Sequence, residues 1–335
     1  MSGNPLIRPL TLYILGNGFD IHHGVRCQYA DFKSWLQDNR HDVYQIMSRL
    51  YDNHLDSAEW WQDFENNLAC FDVEGYPKRI AQAGYYQYKH EMEEVYGQSI
   101  ADEAIDDLEV QFPDEASNHF HRVGKWARFE MKQLKEALFN AFGEWVESIS
   151  LPSKRRCMRN LDRDALFMTF NYTRTLEDVY GIDEEDVRHM HGVVGGRGAF
   201  VVGHGLTAEE IMQKDFDENV YFRDPEKDQG EDNVRMKLFE VLGDEMKKPV
   251  QEIIQENKVF FNDLHGIHKV IILGLSYSPI DLPYLERVFE VVGRDVHTVL
   301  GWHVIKDKNN AKSFSLSARL TNAKLYKFLL LSAKS

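Results

Sequence analysis

Residues 12–26, LYILGNGFDIHHGVR, decide the fold of this 335-residue chain. The apolar run that begins at Leu12 ends abruptly at Gly16-Asn17-Gly18, which predicts a buried strand followed by a glycine turn. Two glycines one residue apart let the backbone approach a ligand closely, and a helix opening at Phe19 would offer N–H groups to a phosphate. The stretch therefore predicts a nucleotide site with Gly16-Asn17-Gly18 and Phe19 as binding residues. An ordinary β–α turn is the alternative, because Ile21 occupies the place of the third glycine in G-x-G-x-x-G.

Composition and charge narrow the class of protein. Hydrophobic content of 43% and charged content of 28% are typical of a globular protein in water. The net charge of −15 repels nucleic acid over most of the surface, so we expect no nucleic-acid partner. No signal peptide and no run of ~18 apolar residues is found, which predicts a cytoplasmic protein with no membrane partner. Cys27, Cys70 and Cys157 are far apart and odd in number, which favours reduced thiols.

The order of patterns predicts the domain organisation. Residues 1–31 form a first β–α unit, and helical spacing over 32–152 predicts one large helical insertion. The nucleotide-binding core resumes over 153–335, with a charged, lid-like segment at 207–235. Further strands are predicted near 165–170, 187–191, 199–202, 269–273 and 296–305, and a last helix over 323–331. The fold class is therefore α/β and Rossmann-like, with a largely parallel sheet.

Several predicted strands end in small or polar groups that parallel neighbours would bring to one crevice. These groups are Gly16-Asn17-Gly18, Asn171-Tyr172, His191-Gly192 and Gly274-Leu275-Ser276. Each has a purely structural alternative. Asn171 could form a turn, His191 could be a buried core histidine, Ser276 could cap a helix, and Asp281 could be a charge at a helix start.

A metal site is a further alternative at the same place. His189 and His191 lie two residues apart on one strand and so face one side, and His204 and Asp20 could join them. No matching carboxylate pair accompanies these histidines, so we expect no metal.

The segments GNGFDIHHG, Y-x-D-F, FNYTRTLE, HMHG, GHG and GLSYSPIDLPY resemble, in order and spacing, the AbiH family of bacterial phage abortive-infection proteins. That family is in turn similar to sirtuin-like NAD-consuming domains. The resemblance implies a sirtuin-like sheet with NAD as substrate. By position, Gly16, Asn17 and Gly18 match the phosphate-binding turn, Asn171 the asparagine beside the nicotinamide ribose, and His191 the catalytic histidine. Gly274 and Ser276, before Asp281, match the turn on the adenosine side.

The chain departs from the sirtuin pattern in three respects. Three cysteines cannot build the four-cysteine zinc module of deacetylating sirtuins, which argues against protein deacetylation. Thr173 replaces the aspartate of N-Y-D, and Asp20 stands about where sirtuins have a small hydroxyl residue. A carboxylate at this position could orient His191 or stabilise a developing cation.

We therefore expect an antiphage effector that hydrolyses the nicotinamide–ribose bond of NAD. Its catalytic residues are predicted to be Asn171, His191 and Asp20, and its binding residues Gly16, Asn17, Gly18, Phe19, Gly274, Ser276 and Asp281. A metal-dependent nuclease-type toxin and a non-enzymatic nucleotide-sensing module that signals to a partner are the alternatives. The sequence is compatible with a phage-derived trigger, a companion defence protein and a homo-oligomer.

Overall fold

The computed structural model describes residues 10–70, 115–151, 158, 161–196, 198, 200–207, 210–211 and 245–328, with backbone alone at 52–53 and over 115–130. Within this part of the chain, six parallel strands form one sheet in the order β3-β2-β1-β4-β5-β6. The strands are β1 Thr11–Leu15, β2 Leu166–Thr169, β3 Val187–His189, β4 Lys269–Leu273, β5 His297–Trp302 and β6 Ala323–Lys327. This order reverses direction between β1 and β4, where open α/β sheets place their ligand crevice.

Helices precede, follow and connect the strands. The α-helices are α1 Asn17–His22, α2 Tyr29–Asn39, α3 His41–Tyr51, α4 Ala58–Gln62, α5 Phe64–Asn67, α6 Glu115–Ser148, α7 Val250–Glu256, α8 Lys258–Asp263, α9 Leu282–Val292 and α10 Ile305–Ser317. Short 3₁₀ turns lie at Asp52–Asp56 and Glu184–Asp186, and a π-helical turn spans Thr175–Tyr180. None of the described helices is both long and apolar enough to cross a membrane.

Both faces of the sheet are covered, which explains why its central strands are apolar throughout. On one face, Leu12 and Ile14 of β1 pack with Ile272 of β4 and with side chains of α7 to α10. On the other, Tyr13 and Leu15 pack with Phe19 of α1 and with the π-helical turn. The alternation of β1 between the two cores fixes its register, because a slip of one residue would exchange the two faces.

The chain divides into two compact units, one of residues 1–35, 139–205 and 248–335 and the other of 36–138 and 206–247. The first unit contains the sheet. In the second, an aromatic cluster joins α3, α4 and α5, with stacked rings of Trp61 and Phe64 at 5.4 Å. Ser57 caps α4 by accepting a hydrogen bond of 3.2 Å from Trp60 N. The insertion boundaries at 32 and 152 stay a prediction.

The predicted α/β, Rossmann-like fold with a parallel sheet is confirmed, and the strands predicted near 12–15, 165–170, 187–191 and 269–273 all occur. The strand predicted near 296–305 occurs as β5. Parts of the predicted insertion (71–114 and 152) and most of the predicted lid (208–209 and 212–235) lie outside the described residues.

Two predicted elements are wrong. The helix expected over 323–331 is the edge strand β6 at Ala323–Lys327, while 329–331 lie outside the described residues. Residues 200–202 do not form the strand expected at 199–202. Instead, Val201 N donates to His191 O at 3.0 Å, and the Tyr172 hydroxyl donates to Val201 O at 3.0 Å. The segment is therefore hydrogen-bonded to the loops that follow β2 and β3. Positive φ values at Gly192, before the segment, and at Gly203, after it, interrupt the extended backbone conformation that a strand requires.

Candidate functional site

The carboxyl ends of β1 to β4 meet at one edge of the sheet, because the strands are parallel and adjacent. The predicted groups at Gly16, Asn171, His191 and Gly274 all follow these ends. The structure thus brings the strand ends together as the sequence predicted, and the contacts at this edge divide into three groups.

The first group is a contact between glycine backbones. A Cβ atom added at Gly16 would lie 2.6 Å from Gly274 O, and one added at Gly18 would lie 2.7 Å from Gly274 Cα. Gly274 itself has φ +67, and a Cβ there would lie 2.3 Å from Phe19 N. Glycine is therefore required at these positions by contact between the β1 turn and the end of β4.

The same contact engages the N–H groups of the turn. Gly16 N donates to Leu273 O at 3.0 Å, Gly18 N donates to Gly274 O at 2.9 Å, and Phe19 N donates to Gly16 O at 2.9 Å. These three N–H groups are hydrogen-bonded to backbone carbonyl oxygens in this structure. A phosphate-binding role of the turn stays a prediction.

The other predicted binding residues have structural contacts of their own. Asn17 exchanges hydrogen bonds with Cys27, through Cys27 O at 3.0 Å and Cys27 Sγ at 2.8 Å. Phe19 is buried against Tyr180. Ser276 is exposed, and its carbonyl accepts a bond of 3.0 Å from Asn310. Asp281, which is 9% exposed, stands at the start of α9.

The second group surrounds the carboxylate of Asp20, which is 1% exposed. Thr173 donates to Asp20 Oδ2 at 2.5 Å, and the Thr173 and Thr175 hydroxyls are 2.9 Å apart. Burial raises the pKa of Asp20 to about 6, against the opposing effects of hydrogen bonds from Thr173, Thr175 and Asn171 and the charge of His189. A carboxyl with this pKa can exchange a proton near neutral pH.

Thr173 does not cap the helical turn that follows it. The helical turn begins at Thr175 with Arg174 in the capping position, and the Thr173 hydroxyl serves Asp20 instead. The turn is a π-helix, a rare element that is often found at functional sites. Arg174 is held at the surface by an ion pair with Glu184.

His189 and Glu177 adjoin the Asp20 cluster. His189 Nδ1 lies 2.9 Å from Asn171 O and its Nε2 lies 3.0 Å from Glu177 Oε1. The ring therefore joins the backbone of Asn171 to the side chain of Glu177. Burial would raise the pKa of Glu177, but the hydrogen bond and charge of His189 outweigh it and the pKa is lowered. This pair fixes the backbone that carries Asn171.

The third group surrounds His191, which is 3% exposed. Its ring lies among aromatic rings, with centroid distances of 5.2 Å to Phe170 and 5.6 Å to Tyr284. Burial, with a further contribution from the charge of Lys248, lowers the pKa of His191 well below the usual range. His191 is therefore a weaker base at neutral pH than an ordinary histidine.

No hydrogen bond or ion pair joins Asp20 to His191 within the described residues. The expectation that Asp20 orients His191 is thus wrong here, since its partner is Thr173. Asp20 and His191, like Asn171 and Glu177, each have a buried side-chain atom with no hydrogen-bond partner among the described residues. Such atoms are Asp20 Oδ1, Asn171 Oδ1, Glu177 Oε2 and His191 Nε2. Leaving a buried acceptor unsatisfied costs about 1–3 kcal/mol each, so these atoms suit donors of a ligand or water.

The described residues contain no group of three or more His, Cys, Asp or Glu side chains placed to hold a metal ion. His189 is engaged by Asn171 and Glu177, and the backbone carbonyl of His204 accepts from Lys248 N at 2.8 Å.

Comparison with known proteins identifies the family. The model of the family described as bacteriophage abortive infection AbiH matches residues 12–302 of this chain. The chain belongs to the AbiH family. No curated protein and no solved structure matches it.

The AbiH match contains the whole of the carboxyl edge described above, from the β1 turn to Asp281. It confirms the resemblance stated from the motifs, and it supports an antiphage abortive-infection role for the chain. Sequence reasoning missed two members of this edge. Glu177 lies in the same FNYTRTLE segment as Asn171, and this closeness in sequence could have indicated that it belongs to the site. Nothing in the sequence linked Lys248 to His191.

Proposed function

We propose that this AbiH protein acts in abortive infection by binding NAD, or a related nucleotide, and hydrolysing its nicotinamide–ribose bond. The observation that carries the proposal is the set of buried, unpartnered polar atoms at the carboxyl ends of β1, β2 and β3. Acceptors of this kind suit the hydroxyl groups of a ribose and an attacking water. The resemblance to sirtuin-like NAD-consuming domains supports NAD as the nucleotide.

Asp20 takes the role of general base in this proposal. With a pKa of about 6, it is mostly ionised at pH 7 yet able to accept a proton. Its Oδ2 is held by Thr173, while Oδ1 has no partner in the described structure. A carboxylate so placed also stabilises the positive charge that develops on ribose as the glycosidic bond breaks.

Asn171 and His191 take positioning and binding roles. An amide both donates and accepts hydrogen bonds, so Asn171 can orient a water or a ribose hydroxyl. Its backbone is held by Thr169 Oγ1 at 3.1 Å and by His189. His191, as a neutral imidazole among aromatic rings, offers one unpartnered nitrogen to the substrate.

The reaction balances without a further reagent. The carbon–nitrogen bond breaks, its electron pair stays with the ring nitrogen, and nicotinamide leaves as a neutral molecule. A water oxygen forms the new bond to the ribose carbon, and the proton it loses passes to Asp20. The products are nicotinamide and ADP-ribose.

A second candidate, nucleotide sensing without turnover, is favoured by two observations. The lowered pKa of His191 makes it a poor base, and three N–H groups of the glycine turn are engaged by protein carbonyls. A protein of this kind would bind NAD or ADP-ribose and pass the signal to a partner.

The two candidates separate in one experiment. Purified protein is incubated with a panel of nucleotides, with and without phage lysate, and both bound and converted nucleotide are measured, the latter by mass. Release of nicotinamide supports hydrolysis, binding without products supports sensing, and neither binding nor conversion contradicts both.

A further inference from the structure

Residues 303–328 carry a charge opposite to that of the rest of the chain. They contain six Lys or Arg and one Asp, a net charge of +5, in a protein whose total is −15. The remaining residues therefore carry −20. This basic surface, as we name residues 303–328, consists of α10, β6 and their connections. Its cations are Lys306, Lys308, Lys312, Arg319, Lys324 and Lys327.

Within the part of the chain that the structure describes, the cations of the basic surface have no acidic partner. None of the six forms an ion pair with any described residue. The single carboxylate of the stretch, Asp307, is engaged in capping α10, since its Oδ2 accepts from Val304 N at 3.1 Å and from His303 N at 3.4 Å. The stretch thus presents unpaired positive charge in a strongly acidic protein.

Two of these cations are held together at the end of β5. Lys308 Nζ lies 4.9 Å and Lys327 Nζ 5.4 Å from the ring centroid of Trp302. Trp302 and Lys327 are register partners in β5 and β6, so their side chains share one face of the sheet. The ring attracts both ammonium groups, but the two charges repel each other, and an anion bound beside them would relieve that repulsion.

An exposed aromatic side chain accompanies the charges. Tyr326 is 61% exposed on β6, the edge strand, opposite Gly301 of β5, which has no side chain to cover it. Because side chains alternate along a strand, Tyr326 shares a face of the sheet with Lys324 and lies on the face opposite Lys327. Lysines near exposed aromatic rings are features with which proteins hold single-stranded nucleic acid. The lysines contact phosphates, and the ring stacks on a base.

We propose that the basic surface binds single-stranded nucleic acid across the exposed edge of β6. Lys308 and Lys327 contact phosphates on one face of the sheet, and Tyr326, which shares the other face with Lys324, stacks on a base. The acidic remainder of the chain repels a polyanion and so confines it to this surface. The proposal revises the sequence-based expectation of no nucleic-acid partner, which rested on the net charge alone. It is independent of the buried site around Asp20.

The test uses the full chain and a fluorescent single-stranded oligonucleotide of roughly 15 nucleotides, with anisotropy measured over a salt series from about 50 mM. The logarithm of the binding constant should fall with the logarithm of salt, by about 0.7 per phosphate contacted. The double variant Lys308→Glu/Lys327→Glu should bind at least about tenfold more weakly. Lys132→Glu/Lys258→Glu, an equal charge change at exposed lysines outside the basic surface, should change affinity less than about threefold.

The aromatic contact is tested separately. Tyr326→Ala should weaken binding about tenfold and Tyr326→Phe should retain it, because stacking needs the ring but not the hydroxyl. Poly-glutamate and anionic lipid vesicles serve as competitors that lack bases. The proposal is overturned by absence of binding at low salt, by equal loss in the two double variants, by wild-type affinity of Tyr326→Ala, or by equally tight binding of a competitor.

Discussion

The hydroxyl of Thr173 donates a hydrogen bond of 2.5 Å to the buried carboxylate of Asp20, although the two residues are 153 positions apart in the chain. Asp20 lies in α1, after the first strand, and Thr173 follows the neighbouring strand β2. The bond ties the two strand ends together and holds one carboxylate oxygen in place. The other oxygen, Oδ1, has no partner among the described residues and is available to a ligand.

Removal of the Thr173 donor is expected to raise the pKa of Asp20 further, because burial then acts with less opposition. Thr173→Val should show this in a carboxyl NMR titration, and should lower the free energy of unfolding at pH 8 by about 1–3 kcal/mol. Thr173→Ser keeps the hydroxyl and is the matched control. Equal titration of Asp20 in the valine variant and the wild type would contradict the assigned hydrogen bond.

Asp20 should make stability depend on pH in a direction opposite to that of a salt-bridged aspartate. Its pKa rises from 3.8 to about 6 on folding, so the folded state binds more protons and stability falls as pH rises between these values. Relative to wild type, Asp20→Asn should gain about 3 kcal/mol in unfolding free energy between pH 3.5 and pH 7. Parallel denaturant titrations of the two proteins measure this difference. A constant difference across that range would show that Asp20 titrates normally.

The glycine contact is expected to be essential for folding. Gly274→Ala places a Cβ atom 2.3 Å from Phe19 N at φ +67 and should leave little folded protein. Gly266→Ala is the control, since Gly266 has φ +99 but no atom within 4 Å of the added Cβ, so only backbone strain of about 1–2 kcal/mol applies. Thermal unfolding of both variants distinguishes them. Similar losses in the two would refute the close approach.

His191 and His189 should respond differently to alanine substitution. His191→Ala removes a nitrogen that is offered to the substrate, so it should weaken NAD binding roughly tenfold, lower turnover and reduce growth arrest on overexpression. His189→Ala leaves Glu177 buried without its partner and should cost roughly 3–5 kcal/mol of stability. Turnover, nucleotide affinity and unfolding are measured on each protein. If His191→Ala loses stability but retains turnover per folded molecule, His191 is a core residue.

The sequence predicted the central strands well because each combines a buried apolar run with an abrupt end. Leu12 to Leu15 stops at Gly16, and Lys269 to Leu273 stops at Gly274, and both runs are strands in the structure. The apolar composition of both runs is typical of parallel strands covered on both faces, but only the structure shows that the two strands are neighbours. The glycines were correctly placed at the carboxyl edge, but their mutual contact required knowledge of the backbone path.

Sequence reasoning failed where local pattern was ambiguous. Leu325 and Phe328 are three residues apart, which fits one face of a helix, and β6 is an exposed edge strand that shows no alternation of buried residues. At the site, the ends of the strands could be predicted from the sequence but the partner of Asp20 could not, because Thr173 meets it only through the parallel pairing of β1 and β2. Likewise, the lowered pKa of His191 arises from burial by side chains of distant segments.

The most direct test of the central claim is the rate of nicotinamide release from NAD by purified wild-type protein and Asp20→Asn, measured between pH 5 and pH 8 with and without phage lysate. The account predicts release by the wild type that increases as pH rises through about 6, the pKa of Asp20. It also predicts a rate ~10²–10⁴-fold lower for Asp20→Asn with NAD binding largely retained. NAD left intact by the wild type under every condition, or cleaved at the wild-type rate by Asp20→Asn, would contradict it.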